Sequence, residues 1–132
     1  MTDMMDSKTT RTATVVLCFM GCLALGLTFT RDGTGNYNDE AKWDHEGGFC
    51  YASPYCYPHS TNDDATIGEG VTINLTQDEE IDDMGISGSH VNDPTVFTTG
   101  GTVKTVECYS ITISDAYVVV EELAVLKTVD EP

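Results

Sequence analysis

The feature that most constrains this chain is an uncharged, strongly apolar run from Ala13 to Phe29. A helix of about 17 residues would be ~26 Å long, at the lower limit for crossing a bilayer core about 30 Å thick. The second half of the run alternates strictly between large and small or polar side chains, and the large ones are Leu23, Leu25, Leu27 and Phe29. A period of two is typical of a strand with one buried face. We therefore expect a buried hairpin over residues 13–29, with a transmembrane segment as the alternative.

The flanks of the run bear on export. Lys8 and Arg11 form a basic region of the kind that opens a signal peptide, but the residues from Leu27 to Arg31 contain no small-x-small cleavage site. We therefore expect the run to stay in the chain. Residues 1–12 are predicted to be a polar N-terminal arm, and residues 13–132 a single β-rich domain, because 132 residues leave no room for two domains.

The charge balance is extreme. The chain has 22 Asp and Glu against 6 Lys and Arg, for a formal net charge of −16. Such a surface repels phosphate backbones, and the sequence has no basic cluster interleaved with aromatic residues, so we expect no nucleic-acid partner. The acidity is typical of a self-repelling, soluble surface, which is the interpretation we favour, and also of a surface that meets a basic partner.

Strand patterns return after the middle of the chain. Residues 71–76 alternate in polarity and place Val71, Ile73 and Leu75 on one face of a predicted strand. The acidic residues 77–83 are predicted to be solvated.

The C-terminal third has the densest strand signals. Residues 95–99 and 102–106 flank Gly100-Gly101, which predicts a hairpin with a tight primed turn. Further strands are predicted at 109–114 and 117–120. Residues 121–129 suit a short helix or a final strand, and we favour the strand. The predicted fold is all-β and mainly antiparallel, a small sandwich or barrel with a long irregular loop around 31–70.

Four residues that could ligate a soft metal lie close together in that loop: His45, Cys50, Cys56 and His59. These residue types suit zinc, but structural zinc sites place paired cysteines two to four residues apart, closer than Cys50 and Cys56. We therefore favour no metal and expect either a Cys50–Cys56 disulfide or free thiols. The total of five cysteines is odd, which is not typical of a secreted disulfide framework.

The sequence carries no catalytic signature. The adjacent acids Glu121 and Glu122 point to opposite faces of an extended chain and do not form a general acid–base couple. Ser89 and His90 share a predicted loop without the strand–turn–helix context of a nucleophile elbow. The glycine-containing turns lack the lysine of a phosphate cradle. We therefore predict no enzymatic activity and no cofactor.

Protein partners are the remaining class of ligand. Aromatic side chains are frequent in the loop and suit interface anchoring, although local packing under the loop is an equally good interpretation. The residues expected at a subunit interface are Leu23, Leu25, Leu27, Phe29, Tyr37, Trp43, Tyr51, Tyr55 and Tyr57.

We expect a non-enzymatic structural subunit of a large homo- or hetero-oligomeric assembly, first of all a virion component such as a capsid decoration, minor capsid or tail protein. One alternative is a single-pass membrane protein that crosses the bilayer through residues 13–29 and carries an acidic β-rich ectodomain. Another is an extracellular filament subunit that donates its apolar strand to a neighbour.

Overall fold

The computed structural model describes residues 27–45 and 56–131. Short strands dominate these residues, and the helical content is one 3-10 turn, Glu40–Lys42. The strands are β1 Thr28–Arg31, β2 Gly35–Asn36, β3 Trp43–His45, β4 Asp64–Ile67, β5 Thr72–Leu75, β6 Glu79–Ser87, β7 Thr95–Thr99, β8 Lys104–Ser114, β9 Val118–Val120 and β10 Ala124–Thr128.

The strands form two sheets between which the chain alternates. The larger sheet has the order β10-β8-β6-β4-β1-β3, and the smaller has the order β2-β5-β7-β9. The named strands pair in parallel except β3, which lies antiparallel beside β1 at one edge. From β4 onward, each turn of the chain adds one strand to each sheet. The chain therefore winds as a coil, in the manner of a parallel β-solenoid.

The prediction of a mainly antiparallel sandwich or barrel is wrong. Strand content was predicted correctly, but a period of two is the same in parallel and antiparallel strands, so it does not reveal the partner. The predicted hairpin at Gly100-Gly101 fails for this reason, because β7 lies in the smaller sheet and β8 in the larger one. Parallel pairs with an antiparallel edge strand are typical of α/β proteins. Here a strand of the other sheet provides the crossover that a helix provides in those proteins.

The core consists of side-chain ladders that run along the coil. In the larger sheet, Ile67 pairs with Ile86, which pairs with Ile113. In the smaller sheet, Ile73 pairs with Phe97, which pairs with Val120. In-register parallel strands place equivalent side chains on the same face, so one inward residue per turn builds a continuous apolar stack.

The corners between the sheets are also stacked. Gly88 has φ +74°, and a Cβ atom there would lie 2.2 Å from the carbonyl oxygen of Gly68 in the corner of the preceding turn. Glycine at position 88 is thus required both by its positive φ and by the close approach of another backbone. This contact fixes the spacing of the two turns on that side of the coil.

Several strand predictions are confirmed. Val71, Ile73 and Leu75 are buried on one face, and β9 and β10 lie within 117–120 and 121–129, as predicted. The strand predicted at 109–114 is the second half of β8, which begins at Lys104 and is continuous with the strand predicted at 102–106.

Two other predictions are wrong. Residues 77–83 are not a solvated stretch, because β6 begins at Glu79 and buries the side chains of Glu79 and Ile81. The residues in 31–70 that the structure describes contain β2, β3 and β4 instead of one irregular loop.

The apolar run is described only at its end. Phe29 is buried in β1 and Leu27 is half-buried, while residues 13–26, including Leu23 and Leu25, lie outside the described residues. The hairpin predicted for 13–29 therefore stays a prediction. Within the part of the chain that the structure describes, no helix has the length and hydropathy needed to cross a bilayer.

Candidate interaction surface

The aromatic residues predicted to anchor an interface pack inside the first turn of the coil. Tyr37 lies between Trp43 and Tyr57, with ring centroids 5.4 and 6.1 Å away, and Trp43 meets Phe29 edge to face at 6.4 Å. All four side chains are buried. The Trp43 Nε1–H donates to the Tyr37 carbonyl oxygen at 2.6 Å. This placement supports local packing for these four residues, and Tyr51 and Tyr55 lie outside the described residues.

A buried arginine organises the same turn. Arg31 is 2% exposed and its guanidinium lies 5.1 Å from the centroid of the Trp43 ring. Its Nε–H donates to the carbonyl oxygen of Gly33 at 2.8 Å and its Nη1–H to that of Asn36 at 3.0 Å. Burial lowers the pKa of Arg31 to about 10, opposed by the nearby Asp39 carboxylate, so the group stays charged at neutral pH. Arg31 therefore closes the loop between β1 and β2.

Two buried carboxyl groups have structural roles. Asp63 accepts hydrogen bonds from the backbone N–H groups of Leu27, His59 and Ser60 at 3.1 to 3.2 Å, which ties the segment before β4 to β1. Glu79 accepts a hydrogen bond from the Gln77 side chain at 2.9 Å, and burial raises its pKa to about 7. Both carboxyl groups support the first turns of the coil.

The four candidate zinc ligands, for which the sequence favoured no metal, are not brought together by the described residues. Cys56 is disulfide-bonded, so its sulfur is not a free thiolate, and Cys50 lies outside the described residues, which leaves the predicted Cys50–Cys56 pairing untested. The His45 ring packs against Phe29 at 5.9 Å, and the Nδ1 atom of His59 lies 3.4 Å from an Asp63 oxygen.

One acidic cluster has the geometry of a cation site. Within residues 27–45 and 56–131, only Asp64, Asp82 and Asp83 bring three possible ligand atoms within 4.8 Å of one another. Burial and the other two carboxylates raise the pKa of Asp82. The Ser110 hydroxyl donates to Asp83 at 2.7 Å. Exposed carboxylates of this kind are common on so acidic a surface, and the cluster defines no function.

The strongest surface feature is the end of the coil formed by β8, β9 and β10. Among the described residues, every large hydrophobic side chain recorded as exposed lies after residue 90, and six lie within this last part of the coil: Ile113, Tyr117, Val119, Val120, Leu123 and Val125. We call these six residues the apolar end. At the opposite end of the larger sheet, the antiparallel strand β3 covers β1.

The apolar end exists because no described strand follows it. Val120 is in register with Phe97 and shares its inward direction, but Phe97 is 0% exposed and Val120 is 43% exposed. A solenoid needs a polar capping element at each end to shield its core from water. The described residues contain such an element beside β1 but not beside β9.

Backbone groups of β9 also face outward at this end. The Thr95 N–H donates to the Tyr117 carbonyl oxygen and the Glu121 N–H to the Phe97 carbonyl oxygen, both at 2.9 Å, so Tyr117 and Glu121 face β7. Because pairing alternates along a parallel strand, the N–H and C=O groups of Val118 and Val120 face the open edge.

The larger sheet is open in the same place. The pairing of β10 with β8 ends at Thr128 opposite Cys108, and the Val129 N–H donates to the Cys108 carbonyl oxygen at 2.9 Å. By the same alternation, the backbone of Ser110, Thr112 and Ser114 faces a position in the sheet that no described strand occupies. An extended segment could therefore add to both sheets at this end.

Leu123 is an exposed apolar residue in an unfavourable backbone conformation. It has φ +78°, which leucine rarely adopts, and it is 39% exposed. Its carbonyl oxygen accepts a hydrogen bond from the Lys104 N–H at 3.0 Å, so the turn is held in place. Strain of this kind is often retained where a residue has a contact to make.

The rim of the apolar end is acidic. Residues 104–131 contain six carboxylates against two lysines. The Lys127 ammonium lies 3.6 Å from a Glu107 carboxylate, so one of those cations is already paired. Asp115, Glu121 and Glu122 are exposed in the turns that flank β9.

Sequence analysis missed the apolar end, although it identified its strands. The signal for it was the absence of alternation in Val118-Val119-Val120. A continuous β-branched run predicts a strand whose two faces are both covered. Neither face of β9 is fully covered in this chain.

Comparisons with known proteins give no further guidance. No family model, no curated protein and no solved structure matches this chain.

Proposed function

We propose that this protein is a non-enzymatic structural subunit of a large assembly, in the class of capsid decoration, minor capsid and tail proteins of virus particles. The observation that carries the proposal is the apolar end, where in-register core residues such as Ile113 and Val120 meet solvent beside open strand edges. Contiguous exposed apolar surface with unpaired strand edges is characteristic of protein–protein contacts. The subunit joins its neighbours through this end of the coil.

An exported assembly is the second candidate setting. Its support is the disulfide at Cys56, since disulfides persist in oxidising compartments and are rare in the cytosol. The intact mass of the native, unreduced protein separates the two settings. A full-length mass with free thiols supports a cytosolically assembled particle. A disulfide, a lost N-terminal segment or a glycan on Asn74, which begins the N-glycosylation sequon Asn74-Leu75-Thr76, supports export.

The proposal is tested by sedimentation velocity over a wide range of protein concentration. Val120→Asp places a charge in the apolar end, and Leu123→Asn removes an apolar side chain while suiting the positive φ of that turn. Both variants are expected to sediment as monomers where the wild-type protein associates. Burying one such side chain contributes about 1.5 kcal/mol or more, so a dissociation constant at least tenfold higher is expected for each.

Val91→Asp is the matched control. Val91 is 63% exposed, lies in the loop between β6 and β7, and is not one of the six residues of the apolar end. The substitution is the same as in Val120→Asp, and the Val91→Asp protein is expected to associate as strongly as the wild-type protein. A wild-type protein that stays monomeric at every concentration, alone and with extracts of its natural source, contradicts the proposal. Equal association of all four proteins also contradicts it.

A further inference from the structure

We infer that the apolar end is covered by the N-terminal apolar segment of a second copy of this chain, so that copies join head to tail. The inference rests on the proposed function and names the partner of the same surface. The occupant of the apolar end must have three properties: apolar residues in an extended pattern, a basic flank beside them, and attachment close to the apolar end.

The first property is a strand-forming apolar sequence. The open edges at Val118, Val120 and Ser110 offer backbone donors and acceptors, which an added strand pairs with. The half-exposed Ile113 and Val120 require apolar side chains from that strand. Residues 14–19, Thr-Val-Val-Leu-Cys-Phe, are largely apolar and include three β-branched side chains, and ahead of β1 the large Leu23 and Leu25 alternate with Ala24 and Gly26. This is the sequence pattern that such an edge accepts.

The second property is charge. From Ser7 to Arg31 the chain has no acidic residue, and it carries Lys8 and Arg11 immediately before the apolar run. Residues 1–26 contain two acids and two cations, which cancel, so the whole formal charge of −16 lies in residues 27–132. A basic flank therefore meets the acidic rim at Glu121 and Glu122. Opposite charges at a rim direct the approach and fix the register.

The third property is attachment, and it favours a neighbouring copy. Residues 1–26 join β1, which is separated from β10 by four strand spacings in the larger sheet, or ~19 Å at about 4.8 Å per strand. Reaching the apolar end of its own coil would take about six extended residues. Those are Gly21 to Gly26, whose leucines would lie on the polar outer face of the sheet. A copy stacked end to end brings its segment to the site directly.

A head-to-tail contact of this kind does not close on itself. Each copy presents one segment and one apolar end, so the contact is heterologous and continues into a ring or a filament. This differs from pairing of two apolar ends, which would stop at a dimer and would bring Glu121 and Glu122 of both copies together.

Complementation between two full-length variants tests the inference. Val16→Asp disrupts the segment and leaves the apolar end intact, and Val120→Asp does the reverse. Each variant alone is expected to be monomeric, whereas an equimolar mixture is expected to form a heterodimer with one working contact, seen by native mass spectrometry. The double variant Lys8→Glu, Arg11→Glu retains the apolar run and is expected to associate at least tenfold more weakly than wild type at low salt.

The other outcomes overturn the inference in distinguishable ways. If Val16→Asp still dimerises and Val120→Asp does not, two apolar ends pair with each other and the proposed function stands. If the wild-type protein floats with phosphatidylcholine vesicles and Val16→Asp does not, the segment enters a membrane instead. If the mixture stays monomeric although the wild-type protein associates, donation between copies is wrong. If Val120→Asp does not affect association, the proposed function fails as well.

Discussion

Ile113 lies directly beside Ile86 in the larger sheet, on the same inward face, yet Ile86 is 1% exposed and Ile113 is 51% exposed. The two residues have the same chemistry and the same orientation. Their exposure differs because β8 pairs with β6 beside Ile86. The next strand, β10, pairs with β8 only as far as Cys108 and therefore does not lie beside Ile113. Among the residues that the structure describes, strands therefore flank Ile86 on both sides and Ile113 on one side.

The first prediction contrasts these two residues. Ile86→Ala leaves a cavity in the filled ladder and is expected to lower the free energy of unfolding by about 3 kcal/mol. Ile113→Ala removes an already hydrated side chain and is expected to cost ~1 kcal/mol or less in the monomer. Urea denaturation at low protein concentration measures both. Equal losses would mean that the ladder is filled beyond Ile113.

The second prediction concerns the corner of the coil. Gly88→Ala is expected to lower the free energy of unfolding by about 2 kcal/mol or more, because a Cβ collides with the Gly68 backbone at a positive φ. Gly100→Ala is the control, since a Cβ there has no atom within 4 Å. Thermal unfolding of the two variants should separate them clearly. A Gly88→Ala protein as stable as Gly100→Ala would show that the corners are not stacked.

The third prediction concerns pH. Burial raises the pKa of Glu79 to about 7 against 4.5 when exposed, so the folded protein holds a proton that the unfolded chain releases between these values. The free energy of unfolding contributed by this group therefore falls as pH rises from about 4.5 to about 7 and is constant above that. The Gln77 hydrogen bond and His59 oppose the effect of burial on the pKa, and Asp78 adds to it. With all of these included, the total loss is at most about 3 kcal/mol.

Glu79→Gln is expected to remove this dependence. The variant should match the wild-type protein near pH 4.5 and exceed it increasingly up to pH 7, because glutamine needs no proton to stay neutral. Urea midpoints at a series of pH values measure the difference. A difference that does not vary with pH would show that Glu79 is ionised in the folded protein throughout.

The fourth prediction concerns the free thiol in β8. Cys108 is 0% exposed, and burial, together with the Asp83 carboxylate, raises its pKa to about 12. The thiolate is the reactive form, so Cys108 should resist maleimide in the folded protein and react after unfolding. Peptide mapping by mass spectrometry identifies the labelled cysteine. Rapid labelling of Cys108 in the native protein would show that the β6–β8 interface opens readily.

The sequence predicted strands better than it predicted their arrangement. The alternation of Val71, Ile73 and Leu75 with polar residues shows that one face of the strand is buried. The same alternation is expected beside a parallel or an antiparallel neighbour, so it does not reveal the direction of the neighbouring strand. Gly100-Gly101 suits a primed turn and a corner between two sheets equally well. The successive turns share no sequence repeat, because a ladder such as Ile73, Phe97 and Val120 conserves only the apolar character of the residue.

Four of the residues predicted at a subunit interface pack inside the described coil, and the apolar end that we propose for that role lies elsewhere. Trp43 and Tyr37 have the composition of interface anchors, but the Arg31 loop and β3 fold them inward. The residues that do reach solvent, Val120 and Ile113, have strand-core composition. Their exposure depends on the absence of a following strand, which is a property of the topology and not of the local sequence.

The central claim is that the open strand edges at the end of the coil are where another chain binds. Amide hydrogen exchange of the full-length protein at low and high concentration tests this binding, followed at Val118, Val120, Ser110, Thr112 and Ser114. These amides are expected to exchange fast when the protein is dilute and to become at least tenfold slower when it associates, while the Val91 amide is expected not to change. Equal exchange at both concentrations in an associated sample would contradict the account, because the edges would then be open in the assembly.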